Sequence, residues 1–190
     1  MALRMKTVRL YLVRHGRASA GWDTELDPDI DELGRQQSRD MAQQLAPLGP
    51  MNVMTSPLLR CQQTASPLCE AWNIEPEIRS EIGEIPSPDG VPTSERVVWL
   101  RETMGGTWQS LGPRYTTFRD EVVSFVRQID DDTVLVSHFM AINAVIGKTQ
   151  SDDRLVLFRL DNCSVTTVER DANGNLTLIQ SGREADTLIR

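Results

Sequence analysis

Only two histidines occur in this sequence, and each stands directly behind a short apolar run. His15 follows "VRLYLVR", and His138 follows "TVLVS". An imidazole with a pKa near 6.5 presents, at neutral pH, a nitrogen lone pair that can act as nucleophile or base. One histidine behind a strand is an ordinary structural residue. Two of them, both at the carboxyl ends of predicted strands and with none elsewhere, point to a joint role, because ligands of open α/β sheets bind at those ends. A third predicted strand, residues 51–55, runs into "SPLLRCQQTA", residues 56–65. That segment places Arg60 about one turn into a helix, where free N–H groups and a partial positive charge favour an anion. Alone, Arg60 reads as a solvated helix arginine. With Arg14 beside His15, it reads as part of a cationic cluster.

The elements that must hold these groups alternate along the chain. Strands are expected at residues 8–13, 51–55, 133–137, 155–160, 163–169 and 176–180, with Asn173-Gly174 as a hairpin turn between the last two. Helices are expected at residues 33–48 and 58–72. Asp31 is the expected N-cap of the first, whose buried side carries Met41, Leu45 and Leu48. Tyr115, Phe118, Val122, Phe125, Val126 and Ile129 form the clearest amphipathic stripe. The alternation predicts a three-layer α/β/α sandwich with a mostly parallel central sheet and antiparallel pairing from the C-terminal strands. One domain over residues 1–190 is expected. Residues 81–113 form a Pro- and Gly-rich excursion with one short helix, residues 94–104. Trp99 and Trp108 in that stretch call for burial, so it should lie over the sheet.

Composition narrows the function. A net charge of −7 disfavours nucleic acid and anionic membrane surfaces, so an anionic substrate would need a local group of arginines. Cys61, Cys69 and Cys163 form no CxxC pair, which argues against a zinc site and fits a reducing cytoplasm. No secretory leader or membrane span is expected. Three short motifs fail on inspection. "GKT" at 147–149 has Ile142 where a P-loop needs its first glycine; "DPDID" at 27–31 is followed by Glu32 and Ser38, where a calcium loop needs glycine and glutamate; the sequons at Asn162 and Asn175 lack a secretory context.

Taken together, "RHG" at Arg14, His15 and Gly16, "SPLLRCQQTA", and the late "SH" at Ser137 and His138 resemble the histidine phosphatase superfamily, the phosphoglycerate-mutase-like proteins. The resemblance covers roughly residues 8–168, and "DPDIDELGRQQS" fits it as well. It implies a phosphatase acting on a small phosphorylated substrate through a phosphohistidine on His15, with no metal and no cofactor. Arg14, Arg60 and His138 would bind the phosphoryl oxygens, His138 best as imidazolium, and Gly16 would let the backbone approach closely. Ser137, Arg17 and Trp22 are further substrate-binding candidates, and Trp22, Trp99 and Trp108 are candidate pocket walls. The resemblance also asks for a carboxyl acid after the second helix. Glu84, with Ile82 two positions back, is preferred to Glu81, which has Arg79 there. Burial would raise its pKa to where it can protonate a leaving group. The mutases' asparagine after RHG is replaced by "RASAGWD", which favours a phosphatase. The alternatives are a phosphoglycerate-type mutase, a phosphohistidine protein phosphatase and a non-catalytic relative that binds phosphorylated ligands.

Overall fold

The computed structural model describes residues 7–185. Four parallel strands form the centre: β1 (Val8–Arg14), β2 (Asn52–Thr55), β3 (Glu77–Ile78) and β4 (Thr133–Ser137). Two antiparallel strands, β5 (Val165–Arg170) and β6 (Leu176–Gln180), complete a sheet of order β3-β2-β4-β1-β5-β6. Its helices are α1 (Glu32–Leu45), α2 (Leu59–Trp72), α3 (Arg96–Thr103), α4 (Trp108–Leu111), α5 (Pro113–Val126) and α6 (Phe139–Gln150).

Side-chain alternation assigns the two faces. From β1, Tyr11 and Val13 enter a core with Met41, Leu45 and Leu68 of α1 and α2. Val8, Leu10 and Leu12 enter the opposite core with Val122 of α5 and Ile142 and Ile146 of α6. A sheet covered on both faces suits strands that are apolar along nearly their whole length, as β1 and β4 are. The expected three-layer sandwich is therefore present, with antiparallel pairing at its C-terminal strands. The Asn173-Gly174 turn joins β5 to β6, with Gly174 at φ +78°.

Three local expectations are corrected. Residues 155–160 form no strand. Leu155 and Leu160 plug the core, but the Leu157 and Phe158 N–H groups donate to the Asn143 side chain rather than to a neighbouring strand. Helix α6 was not anticipated, because Phe139 through Gly147 are all buried and no polar stripe reveals the helical period. The first helix ends at Leu45, and Leu48, in a 3₁₀ turn beyond it, is 52% exposed rather than inward. The Asp31 cap forms as expected, its carboxylate accepting the Gly34 N–H at 2.8 Å.

The excursion lies over the α5/α6 face. Ile82, Ile85, Leu100 and Trp108 are buried in that core. Trp108, fully buried, is a core residue and not a pocket wall.

The start of α1 is pressed against the strand end that carries His15. A Cβ on Gly34 would run into the Arg17 carbonyl oxygen and stand 2.9 Å from the Arg17 nitrogen. Helix propensity alone would favour Gly34→Ala by about 1 kcal/mol. The collision is with backbone, so overpacking should win, and the variant should lose about 1–3 kcal/mol in urea denaturation. Gly105→Ala, whose Cβ meets nothing within 4 Å, should stay within about 0.5 kcal/mol of the parent.

Candidate active site

The parallel pairing of β1 with β4 sets Arg14 opposite Ser137 in register, so the next residue of each chain is a histidine. Their rings stand 5.3 Å apart at 61°. Strand β2 pairs on the far side of β4 and delivers α2, and with it Arg60, over the same edge.

His15 is fixed at both ends. Its backbone N–H donates to the Ser137 carbonyl at 2.9 Å, and its own carbonyl accepts from Asn162 Nδ2 at 2.9 Å. The ring Nδ1 lies 2.8 Å from the Gly16 carbonyl, which can only accept, so Nδ1 carries the proton. Nε2 is left with its lone pair, 3.4 Å from Arg60 Nε. Burial, reinforced by Arg60, His138 and Arg14, holds this imidazole well below its usual pKa. His15 is a neutral ring whose unprotonated nitrogen accepts the Arg60 Nε–H.

Those cations are almost fully buried, Arg14 at 5% and Arg60 at 4% exposure. Arg14 donates through Nη1 to the Leu160 carbonyl at 2.6 Å and lies over the Phe139 ring. Burial lowers its pKa to about 10, which leaves it charged at neutral pH. Arg60 donates through Nη2 to Glu84 Oε2 at 3.1 Å. Arg14 Nε and Arg60 Nη1 have no hydrogen-bond partner among the described residues. Buried N–H groups are rarely left unpaired. Both arginines line a narrow cavity of about 60 Å³ with His15, Glu84, Trp22, Phe139 and Asn162. The arrangement suits a compact oxyanion.

Glu84, not Glu81, joins the cluster. Glu81 is exposed, and its carboxylate accepts the Ser80 hydroxyl at 3.4 Å. The Glu84 carboxylate lies 3.2 Å from His138 Nδ1 as well as against Arg60. Burial opposes its charge, but His138 and Arg60 prevail and hold its pKa well below the usual carboxylate range. The expected upward shift is therefore absent in this state. For His138, burial is the largest influence and lowers its pKa from 6.5 despite Glu84. Arg60 and Arg14 supply positive charge to the cluster, and the downward shift of His138 runs against the expected imidazolium.

Other candidates have different employment. The Gly16 N–H donates to Thr64 Oγ1 at 2.9 Å, and a Cβ there would stand 2.8 Å from the Gly34 carbonyl. The contact with α1 therefore requires a glycine at this position. The Ser137 hydroxyl donates to the Ile82 carbonyl at 2.8 Å and tethers the excursion. Arg17 and Trp22 do line the cavity. Arg17 is bound through Nε to Asp31 at 2.6 Å. Trp22 stands between Arg96, 5.8 Å from its ring, and Trp99, at 6.5 Å. Trp99 is thus a second layer behind the wall.

Sequence reasoning passed over Asn162, Thr64 and Phe139. Asn162 registers in the sequence only as a failed sequon, and its place beside His15 arises when the chain returns to form β5.

Ligand atoms of His15, Glu84 and His138 all lie within 4.8 Å of one another, close enough to share a cation. Arg60 already reaches all three, at 3.4, 3.1 and 3.3 Å, so a guanidinium stands where a metal ion would. A larger groove of about 680 Å³, between α5, α6 and the β5–β6 turn, holds no histidine. Its Arg127 and Arg170 are bound to the Gly174 and Arg127 carbonyls.

Comparison with known proteins agrees with this geometry. The chain is 26% identical over 187 residues to a protein named a probable phosphoglycerate mutase, GpmB, of Enterobacter sp. (strain 638), covering 85% of each. Among solved structures it superposes on Bacillus stearothermophilus YhfR with a TM-score of 0.76 at 19% identity, over 96% of this chain and 100% of that one. It also superposes on a phosphoserine phosphatase mutant of Entamoeba histolytica in complex with phosphoserine, with a TM-score of 0.70 at 21% identity, covering 92% and 96%. The model of the histidine phosphatase superfamily (branch 1) matches residues 10–180, and the chain belongs to that superfamily.

Proposed function

We propose that this protein hydrolyses small phosphomonoesters through a phosphohistidine on His15. One observation carries the reading: the unprotonated Nε2 of a buried His15 shares a cavity with Arg14 and Arg60, each of which keeps one buried nitrogen without a hydrogen-bond partner among the described residues. The phosphoryl group would sit on Arg14 Nε and Arg60 Nη1. His15 Nε2 attacks phosphorus as the bond to the leaving oxygen breaks, and the arginines hold the charge on the non-bridging oxygens.

The leaving oxygen needs a proton, and Glu84 is the acid. Its resting partners are the groups an incoming phosphate would claim. As Arg60 and His138 turn to the phosphoryl oxygens, Glu84 loses two stabilising contacts and gains an anionic neighbour. Both changes raise its pKa, so it takes a proton from solvent as substrate binds. After transfer, the Glu84 carboxylate accepts a proton from the water that attacks the N–P bond and releases phosphate. The small cavity suits the phosphoryl end, with the rest of the substrate toward Trp22, Glu25 and Pro28. We place the reaction in the cytoplasm, within a single domain, and without a metal.

Rapid acid quench with ³²P-labelled substrate should trap acid-labile, base-stable phosphate on the parent and none on His15→Ala. Label on another residue, or an active enzyme that never carries label, would overturn the mechanism. If labelled phosphoglycerate is isomerised faster than it is hydrolysed, the mutase reading replaces this one.

Glu84→Gln should slow sugar phosphates by about 10²–10⁴ and p-nitrophenyl phosphate far less, because nitrophenolate leaves unaided. The alkaline limb of the kcat profile, which reports loss of the acid's proton, should fade in this variant. Glu81→Gln should behave as the parent.

Activity should survive excess EDTA, since Arg14 and Arg60 supply the charge that a metal would bring. Loss on chelation with recovery on adding Mg²⁺ or Zn²⁺ would refute the metal-free site.

A further inference from the structure

His138 has a buried side that the proposed chemistry does not use. Ser56, the first residue beyond β2, is fully buried, and its Oγ lies 2.7 Å from His138 Nε2. The same oxygen accepts the Leu58 N–H at 3.4 Å. The hydroxyl's own proton is available to His138 Nε2. On the other edge of the ring, Nδ1 lies 3.2 Å from the Glu84 carboxylate, which can only accept, and 3.3 Å from Arg60 Nη2, which already donates to that carboxylate. Cys61 Sγ lies 3.5 Å from Nε2 and can donate to the Ser137 carbonyl at 3.6 Å. Among the described residues, Ser56 is the one hydroxyl within hydrogen-bonding distance of Nε2. The row Ser56–His138–Glu84 has the order of a hydrolytic Ser-His-acid triad. Here the serine lies beneath the imidazole with no solvent exposure, so it cannot serve as a nucleophile.

We propose that Ser56 is a positioning residue: its hydroxyl donates to His138 Nε2 and holds the ring as the Nδ1–H tautomer, its N–H aimed at the phosphoryl site. His138 then donates to a phosphoryl oxygen as an uncharged group. This rests on the phosphatase reading for its consequence in catalysis, but not for the tautomer itself. The charged and titratable groups around the ring are Glu84 from the excursion, Arg60 and Cys61 from α2, His15 beyond β1 and Asp27 ahead of α1. Glu84 and Asp27 favour a charge on His138, whereas Arg60 and burial oppose it. The only nitrogen able to take a second proton is Nε2, and Ser56 covers it.

The test is ¹⁵N NMR of the histidine side chains in the full chain, paired with kcat–pH profiles. In the parent, His138 should show a protonated Nδ1 and a lone-pair Nε2 across roughly pH 6–8. A protonated Nε2 with bare Nδ1 in the parent would overturn the proposal without any variant. In Ser56→Ala the buried Nε2 loses its donor. Its signal should leave the lone-pair position, and kcat should fall about 10–100-fold, as is usual when a tautomer-fixing partner is lost. The loss should shrink as pH falls, because a cationic ring carries Nδ1–H again. Ser56→Thr, which keeps the hydroxyl, should recover both the spectrum and the profile. A Ser56→Ala enzyme with the parent's ¹⁵N pattern, and a kcat profile scaled equally at every pH, would reduce Ser56 to a structural role. Absence of acid-labile phosphate on His15 would instead defeat the phosphatase reading and leave the NMR result to decide the tautomer.

Discussion

The site depends on keeping Arg60 charged where water cannot reach it. An unpaired cation at 4% exposure is costly, and Glu84 provides the counter-ion at 3.1 Å. Arg60 also contacts both histidines, and its charge adds to the burial that is the main influence against a proton on each. Had the ion pair been absent, burial alone would have pushed Glu84 toward its neutral form and left the guanidinium unbalanced. One carboxylate therefore pairs with Arg60 in the resting site and, in the proposed cycle, becomes the acid once a phosphate displaces it.

The sheet meets this demand through its register. Because Arg14 pairs with Ser137, the two histidines emerge side by side, and the β2 crossover brings Arg60 in from above. Glu84 arrives from the excursion, where no regular element fixes it. Its position depends on Ile82 and Ile85, buried on either side of it, and on the Ser137 hydroxyl that holds the Ile82 carbonyl. A serine in the late "SH" thus acts on the site through the backbone of a loop over fifty residues away.

Much of this was legible in the sequence for a physical reason. Strand-end histidines and a post-strand arginine mark themselves by their neighbours, because an apolar run followed by a charge has few explanations. Strands β1, β2, β4, β5 and β6 and helices α1, α2, α3 and α5 could be read from their periodicity, turns or caps, α1 together with its Asp31 N-cap. Helix α6 could not: a segment buried all round has no polar face, and periodicity is visible only as contrast. The run at 155–160 misled for the opposite reason. Leu155 and Leu160 enter the core from a loop whose amides are satisfied by Asn143, and alternation does not reveal where backbone hydrogen bonds go. Asn162 was illegible because its function belongs to the return of the chain beside β1, which no local pattern encodes.

Electrostatics was the least legible part. The type of residue was readable, but its protonation was not, and Glu84 shows why. From the sequence alone, a carboxyl group in an apolar setting should be raised toward neutrality. The structure puts a guanidinium and an imidazole against it, and these two close contacts outweigh desolvation. The sign of a shift is decided by contacts at about 3 Å, which arise from three separate elements meeting at one sheet edge. The same contacts make the shift reversible. In the proposed cycle, a group held anionic by two contacts that an incoming oxyanion also needs regains its proton when that oxyanion binds, so the resting ion pair would link substrate binding to the arming of the acid.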